Sequence, residues 1–193
     1  MRKPYVIGFM GYAGVGKSTA AKALQAAYKD IEIASFAGPL KEAVQQLFLF
    51  SDEQVYGTKE QKEAVDERWG ISPRKVLQVV GTDCLRNMID PKFHVKRMSS
   101  YLQQCESKVV IIDDIRFEDE AELVNQYGKC FYIGRPGYPK EDIRHASEYP
   151  PRHLASGYTI LNSSDTVEDF KYQLICYNDY INDLIRGALN ETR

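Results

Sequence analysis

Short apolar runs alternate with longer segments of helical period along most of this chain. The apolar runs predict strands at residues 5–10, 31–36, 109–112, 130–133 and 158–161. The 3.6-residue pattern predicts helices at about 16–28, 40–50, 72–88, 93–104, 118–127 and 166–189, and the charged stretch 51–70 is expected to be partly helical. Strands that alternate with helices predict a three-layer α/β fold with a mostly parallel sheet between helices. Ligands of such sheets bind beyond the carboxyl ends of the strands.

The first predicted strand leads directly into a glycine-rich octet. Gly11-Tyr12-Ala13-Gly14-Val15-Gly16-Lys17-Ser18 matches G-x-x-x-x-G-K-[ST], the pattern of a phosphate-binding loop. Glycines let backbone N–H groups turn toward an anion, and the following helix directs the positive end of its dipole at the same point. Lys17 adds a positive charge for the β- and γ-phosphates of ATP, and the Ser18 hydroxyl suits Mg²⁺. A chance turn is the alternative, but the strand before the octet and the helix after it favour a nucleoside triphosphate site.

Two carboxylates follow the apolar run 109–112. Asp113 and Asp114 would stand at the carboxyl end of a buried parallel strand, where a second ligand for Mg²⁺ is needed. Side chains alternate along a strand, so we expect one carboxylate to face the metal and the other to face away. Asp114 is taken as the metal ligand together with Ser18, and Asp113 remains the alternative. The alternative to a metal site is that both residues are simply solvated acids at the end of a strand.

Arginines near predicted strand ends could supply charge to phosphoryl transfer. Arg135 directly follows a strand, and Arg144 lies in the loop after it, which is rich in Pro, Tyr and Arg. Phosphoryl transfer needs positive charge that is in place when the site closes, so this loop, about 135–157, is a candidate lid. Either arginine alone is more often a solvated surface residue.

The helix predicted at 72–88 carries a polar and an apolar stripe. Residues four apart share one side of an α-helix. The polar stripe consists of Arg74, Gln78, Thr82 and Arg86, and the apolar stripe of Leu77, Val80, Cys84 and Met88. With Arg116, the polar stripe suits a small acceptor that carries a phosphate, although a charged helix face is usually just solvated. Trp69 and Phe36 border this region and could either stack on a base or pack in the core.

Composition narrows the class of protein. The chain has 193 residues, a hydrophobic fraction of 44%, a charged fraction of 27% and a formal net charge of −2, which are ordinary for a soluble globular domain. The absence of a basic excess argues against polymeric nucleic acid as a partner. The four cysteines are widely spaced, which favours reduced thiols over zinc or disulfides. We find no apolar run that resembles a signal peptide or a membrane span, so a cytoplasmic location is expected.

The chain resembles the phage-type deoxynucleoside monophosphate kinases, of the P-loop nucleoside monophosphate kinase superfamily, over nearly its whole length. The resemblance rests on the phosphate-binding loop together with six further motifs. These are Ser35-Phe36-Ala37-Gly38-Pro39-Leu40-Lys41, Trp69-Gly70 with Ser72-Pro73-Arg74, Leu77-Gln78 with Gly81-Thr82-Asp83 and Arg86, Asp114-Ile115-Arg116-Phe117 with Glu120-Ala121, His145-Ala146-Ser147-Glu148, and Asn162.

The resemblance implies a single kinase domain that makes deoxynucleoside diphosphates from monophosphates and ATP. It would contain an acceptor-binding helical region at about 37–106 and a lid at about 135–157. The implied ATP-binding residues are Gly11, Gly14, Val15, Gly16, Lys17, Ser18, Thr19 and Asn162. The implied acceptor-binding residues are Ser35, Phe36, Lys41, Trp69, Arg74, Gln78, Thr82, Asp83, Arg86 and Arg116. Lys17, Arg135 and Arg144 would be catalytic, the partners would be small nucleotides, and the C-terminal helix could support a homodimer.

Two other interpretations stay open. Gly38 stands where many relatives would carry an acidic residue, and the run from Gly38 to Glu42 is similar to one in phosphomevalonate kinases. Phosphomevalonate or dephospho-coenzyme A is therefore an alternative acceptor. A nucleotide-binding switch is the third hypothesis, but the segment from Asn162 to Asp165 has a serine where the guanine-reading motif of GTPases carries a lysine.

Overall fold

The computed structural model describes residues 3–139, 149–156 and 158–190. These residues form two compact units. The first contains the described residues up to Ser35 and from Met98 onward, and the second is Phe36–Arg97. The first unit holds the sheet, and the second is helical.

Five strands form one sheet in the first unit. They are β1 (Tyr5–Met10), β2 (Ile31–Ala34), β3 (Val109–Ile115), β4 (Gly128–Gly134) and β5 (Thr159–Leu161). The order is β2-β3-β1-β4-β5, and every neighbouring pair is parallel. This confirms the predicted α/β class. β2 ends two residues earlier than predicted, and β3 continues to Ile115, so Asp113 and Asp114 lie within the strand rather than after it.

Nine α-helices occur in the described part of the chain. They are α1 (Lys17–Ala27), α2 (Gly38–Phe48), α3 (Asp52–Tyr56), α4 (Lys59–Glu63), α5 (Pro73–Gln78), α6 (Phe93–Gln104), α7 (Glu118–Tyr127), α8 (Val167–Tyr177) and α9 (Asp179–Asn190). A π-helix at Val79–Ile89 follows α5, and a 3₁₀ turn lies at Arg152–Leu154. None of the described helices has the length and apolar character needed to cross a membrane.

Helices cover both faces of the sheet. α1, α8 and α9 bury Leu24, Phe170 and Ile185 in one core with Phe9 and Ile111 of the strands. On the other face α7 packs so closely that a Cβ at Gly8 would lie 2.8 Å from the side chain of Val124. The apolar runs of the central strands are therefore buried on both sides, as in other parallel sheets.

The single helix predicted at 166–189 is wrong, because the chain forms two helices there. α8 ends at Tyr177, and Asn178 leaves helical geometry with φ −103° and ψ 70°. The Asn178 side chain accepts a hydrogen bond from the Ile181 backbone N–H at 3.3 Å, as a helix N-cap does. Asn182 is 1% exposed and donates from Nδ2 to the Ile175 carbonyl oxygen at 2.7 Å, which ties the two helices together.

The second unit has a small core of its own, formed by Val44, Phe50, Val55 and Val76. The charged stretch 51–70 is partly helical, as expected. α3 and α4 each begin at a capping box, in which Ser51 and Thr58 accept from the backbone three residues later. These caps explain how such short, polar helices form.

The helix predicted at 72–88 is confirmed in its extent, since the chain is helical from Pro73 to Ile89, but it is an α-helix only through Gln78. The following π-helix closes hydrogen bonds over five residues instead of four, so a four-residue spacing no longer follows one side of it. Gly81 is buried there, and a Cβ on it would lie 2.6 Å from the Leu40 side chain. The predicted apolar stripe fails at its end, since Met88 is 81% exposed.

A polar cluster joins β2 to α6 and the segment that follows. Glu32 accepts hydrogen bonds from the hydroxyl of Tyr101, from Ser107 Oγ at 2.9 Å and from Cys105 Sγ at 3.6 Å. The Tyr101 hydrogen bond is the main cause that lowers the pKa of the Glu32 carboxyl. β2 is an edge strand, so this cluster fixes the edge of the sheet.

We predict that Tyr101→Phe lowers the free energy of unfolding near pH 7 by about 1–2 kcal/mol, because it removes a hydrogen bond to a charged carboxylate. Since the pKa of Glu32 is depressed in the folded protein, this stabilisation is complete above the ordinary carboxyl pKa and is lost as the pH falls through the folded value. Urea titrations from pH 7 to pH 3 should therefore show the two proteins converging in acid.

The matched control is Tyr127→Phe, which keeps the ring that lies 5.3 Å from the Lys3 ammonium. A stability difference for Tyr101→Phe that stayed constant down to pH 3 would contradict the assigned role of Glu32.

Candidate functional site

The glycine-rich octet forms the turn between β1 and α1. β1 ends at Met10, and α1 begins at Lys17 with Gly16 as its N-cap. Gly14 and Gly16 have φ of +82° and +107°, in the left-handed region that side chains rarely adopt. The structure therefore has the strand, turn and helix that a phosphate-binding loop requires, with the helix N-terminus at the end of the loop.

Backbone carbonyl groups of this loop hold the Lys17 side chain in place. Its Nζ donates to the carbonyl oxygens of Gly11 at 2.7 Å and Tyr12 at 2.8 Å. Burial lowers the pKa of Lys17 to about 8, and the charge of Arg116 acts in the same direction, while Asp113 and Asp114 oppose it. The ammonium thus lies in the electrostatic field of the β3 carboxylates.

Both carboxylates of β3 are half-buried, and Asp114 accepts a hydrogen bond from a serine side chain. Ser35 Oγ donates to Asp114 Oδ2 at 2.6 Å. Ser35 directly follows β2, which pairs with β3, so neighbouring strands bring these side chains together. This hydrogen bond fixes the orientation of the Asp114 carboxylate.

Glu120 holds the backbone that follows β3. It is 3% exposed, and its Oε2 accepts from the N–H groups of Arg116 at 2.9 Å and Phe117 at 3.2 Å. The sequence motif contained Glu120, but no function was predicted for it. A glutamate three residues after the helix N-cap is the signal that could have identified it. Its carboxylate fixes the point at which Arg116 leaves the strand.

A turn after β4 covers part of the loop. The Tyr138 N–H donates to the Arg135 carbonyl oxygen at 3.2 Å, and the Arg135 guanidinium carbon lies 5.6 Å from the centroid of the Tyr138 ring. A Cβ at Gly14 would lie 2.8 Å from that ring. The sequence analysis did not single out Tyr138. The pair Pro136-Gly137 before it is typical of a turn and is the signal that could have identified this segment. Arg144, the second predicted lid arginine, lies outside the described residues.

Asn162 contacts the same loop from the end of β5. Its Nδ2 donates to the Val15 carbonyl oxygen at 2.9 Å, and its backbone N–H donates to the Gly134 carbonyl oxygen at 2.8 Å. The side chain is 4% exposed. Ser18 is exposed and Thr19 half-buried in the first turn of α1.

The remaining predicted acceptor residues belong to the second unit. Phe36 is buried, and the Lys41 ammonium lies 5.6 Å from the centroid of the Tyr56 ring. Trp69 is 46% exposed, and its indole Nε1 donates to the Phe48 carbonyl oxygen at 2.8 Å. Trp69 is therefore held by a backbone contact while about half of its surface stays exposed.

The polar residues of α5 and the π-helix are mostly half-buried. Arg74 Nε lies 3.5 Å from Glu63 Oε1, and an Arg86 guanidinium nitrogen donates to the Pro91 carbonyl oxygen at 3.2 Å. Gln78 and Thr82 are half-buried, and Asp83 is exposed. His94 is buried, with a ring nitrogen 3.0 Å from the Gly81 carbonyl oxygen.

Comparison with known proteins gives a consistent set of relatives. Residues 50–174 match the family model described as deoxynucleotide monophosphate kinase. A protein of Acanthamoeba polyphaga mimivirus, named as a candidate deoxynucleotide monophosphate kinase, is 42% identical over 183 residues, which cover 88% of this chain and 94% of the relative. The deoxynucleoside-5′-monophosphate kinase of Escherichia phage T5 is 34% identical over 56 residues, which cover 29% of this chain and 22% of that protein.

Solved structures with low sequence identity share the fold. TT1252 from Thermus thermophilus is 16% identical with a TM-score of 0.51, and the alignment covers 95% of this chain and 99% of that one. The dephospho-CoA kinase of Campylobacter jejuni is 15% identical with a TM-score of 0.50, covering 94% and 98%. At such identities the likeness concerns the fold alone.

We predict that Gly14→Ala destabilises the protein by two separable effects. The positive φ disfavours alanine by about 1 kcal/mol, and contact with the Tyr138 ring adds about 1–3 kcal/mol of overpacking. Combining Gly14→Ala with Tyr138→Ala should remove the second contribution but not the first, as a double-mutant cycle on the free energy of unfolding can measure.

Gly137→Ala is the matched control, because Gly137 has φ +75° and a Cβ there would have nothing within 4 Å. It should show only the backbone effect. Additivity of the Gly14 and Tyr138 substitutions would argue against the packing of Tyr138 on the loop.

Proposed function

Because the chain belongs to the deoxynucleotide monophosphate kinase family, and is thereby a phosphotransferase that acts on nucleotides, we propose that it transfers the γ-phosphoryl group of Mg-ATP to a deoxynucleoside 5′-monophosphate. The products are ADP and the deoxynucleoside diphosphate. The observation that carries the proposal is the loop between β1 and α1, with Lys17 set in the field of the β3 carboxylates.

The donor nucleotide would be bound by the glycine-rich loop. Its proposed contacts are Gly11, Gly14, Val15, Gly16, Lys17, Ser18 and Thr19, with Asn162 beside them. The left-handed glycines and the N-terminus of α1 supply backbone N–H groups and a helix dipole for the phosphates. Lys17, which rests on loop carbonyls in this structure, would exchange those contacts for the β- and γ-phosphates.

Mg²⁺ would be held by the Ser18 hydroxyl and the Asp114 carboxylate. No group of three or more His, Cys, Asp or Glu side chains suited to a metal occurs among the described residues. Mg²⁺ bound with a nucleotide needs only one or two carboxylates, since phosphate oxygens and water complete its six ligands. The donor set present therefore fits magnesium with a nucleotide rather than a structural metal. The ion would neutralise charge that develops on the phosphate oxygens.

The residues proposed for the acceptor monophosphate are those that the sequence resemblance implies. Ser35 and Arg116 belong to the first unit. Those of the second unit are Phe36, Lys41, Trp69, Arg74, Gln78, Thr82, Asp83 and Arg86. Guanidinium groups suit a phosphate because they donate paired hydrogen bonds, and half-buried amide and hydroxyl groups suit a base or sugar. Trp69 is 46% exposed and could stack on a base.

The reaction needs positioning and charge stabilisation more than proton transfer. An oxygen of the acceptor phosphate attacks the γ-phosphorus in line, the bond from the γ-phosphorus to the bridging oxygen breaks, and ADP leaves with that oxygen. The second pKa of a phosphate monoester is about 6, so the acceptor is already a dianion near neutral pH and needs no general base. Lys17, Arg135 and Arg144 are the proposed groups that stabilise the transferred charge.

A panel of acceptors tests the proposed substrate. We expect ADP formation from Mg-ATP to depend on a deoxynucleoside monophosphate, and to be far slower with phosphomevalonate or dephospho-coenzyme A. Turnover with a non-nucleotide acceptor alone would replace this proposal with the alternative kinase, and ATP hydrolysis that no acceptor stimulates would indicate a switch.

Lys17→Ala should lower the rate of phosphoryl transfer by about 10³-fold or more, the scale on which charge-stabilising groups act in this chemistry. Lys22→Ala is the matched control, because Lys22 is an exposed lysine of the same helix. It should retain the wild-type rate within about twofold, since surface substitutions have small effects. A Lys17→Ala enzyme within tenfold of wild type would remove Lys17 from the catalytic residues.

The homodimer and the cytoplasmic location remain predictions from the sequence. So does the division of the chain into an acceptor-binding region at 37–106 and a lid at 135–157.

A further inference from the structure

Asn162 is a buried side chain that connects three segments of the first unit. It lies just after β5, its backbone N–H bonds to the end of β4 at Gly134, and its Nδ2 donates to the Val15 carbonyl oxygen in the loop. Both hydrogen bonds are at ordinary lengths, 2.8 and 2.9 Å. The residue thus ties the glycine-rich loop to the carboxyl edge of the sheet.

The loop is packed closely against this side chain. A Cβ at Gly16 would lie 2.9 Å from Asn162 Nδ2 and 2.9 Å from the Phe170 ring. Gly16 has φ +107° and is the N-cap of α1, so the backbone at this point sets where the helix begins. The Asn162 side chain bonds to Val15 and packs close to Gly16. It therefore restricts the backbone of the two residues before Lys17.

Asn162 is a poor residue for a purely structural role at this place. Its Oδ1 is buried and has no hydrogen-bond partner among the described residues. A buried acceptor without a donor is unfavourable and is rare in folded proteins. Asn182, the other fully buried asparagine that bonds to a backbone carbonyl, uses both ends of its amide: Nδ2 donates to Ile175 and Oδ1 accepts from the Tyr28 hydroxyl at 2.8 Å.

The sequence resemblance placed Asn162 among the ATP-binding residues. We propose instead that it is a positioning residue, which shapes the phosphate-binding loop through the Val15 carbonyl and does not contact the nucleotide itself. A carbonyl engaged by Asn162 is turned toward β5, and the N–H groups of the following peptides are left to face the anion. With 4% of its surface exposed, the side chain offers a ligand almost no contact area. The inference rests on the proposed function only in that the loop must bind phosphate.

The test is the affinity of Asn162→Ala for three ligands, namely Mg-ATP, Mg-GTP and Mg-tripolyphosphate, by titration calorimetry. A residue that shapes the loop should affect all three equally, and we expect each dissociation constant to rise by about 10–100-fold, as when a group that orients a ligating residue is removed. The apparent KM for ATP should rise with it, while the KM for the acceptor changes little.

Asn182→Ala is the matched control. It removes a buried amide with the same kind of bond to a backbone carbonyl, so it should lower Tm at least as much and leave all three affinities within about twofold of wild type, because it lies outside the loop. Asn162→Asp serves if the alanine variant does not fold. It keeps the shape of the side chain, loses the donor to Val15 and adds a negative charge, so tripolyphosphate should bind more weakly still.

The outcomes separate the possible roles of Asn162. If its variants bound all three ligands like wild type, the residue would be structural only and the inference would be overturned. If ATP alone were weakened and tripolyphosphate were not, Asn162 would read the base, which also overturns it. If wild type bound tripolyphosphate and Asn162→Ala did not, yet no deoxynucleotide were phosphorylated, the inference would hold and the proposed function would fail. Wild type that bound none of the ligands would overturn both.

Discussion

The turn from β1 into α1 is the constraint on which the rest of the first unit depends. To bind phosphate, this backbone must direct several N–H groups inward and therefore adopt φ values that only glycine tolerates well. Such a turn has little intrinsic stability, because glycine loses more conformational freedom on folding than any other residue. The neighbouring segments must therefore hold it in place.

Each support comes from a different part of the chain. Tyr138, from the turn after β4, packs on Gly14, and Asn162, after β5, bonds to Val15. Phe170 of α8 lies against Gly16 from the core side. These contacts exist because β1 is the central strand, with β4 on one side and β5 beyond it, so that chain segments more than a hundred residues later end beside the loop.

The order of the strands also decides which charged residues lie near the loop. β3 is the other neighbour of β1. Its acids Asp113 and Asp114 raise the pKa of Lys17, and Arg116 lowers it. Two further residues hold the carboxyl end of β3 in place. Ser35 donates a hydrogen bond to Asp114, and Glu120 accepts hydrogen bonds from the backbone N–H groups of Arg116 and Phe117. A half-buried lysine whose pKa is lowered, in the field of nearby carboxylates, is an arrangement typical of sites that bind anions or perform chemistry.

The amino-acid sequence predicted the α/β class and the loop with its strand and helix, because these depend on local patterns: apolar runs, glycine spacing and capping residues. It did not determine the π-helix after Gln78 or the break at Asn178, since these depend on Gly81 packing against Leu40 and on the helices α8 and α9 packing against one core. Likewise, Asn162 could be named from a motif, but its bond to Val15 spans 147 residues of sequence. Only the order of strands in the sheet brings such distant residues together, and that order is a property of the tertiary structure.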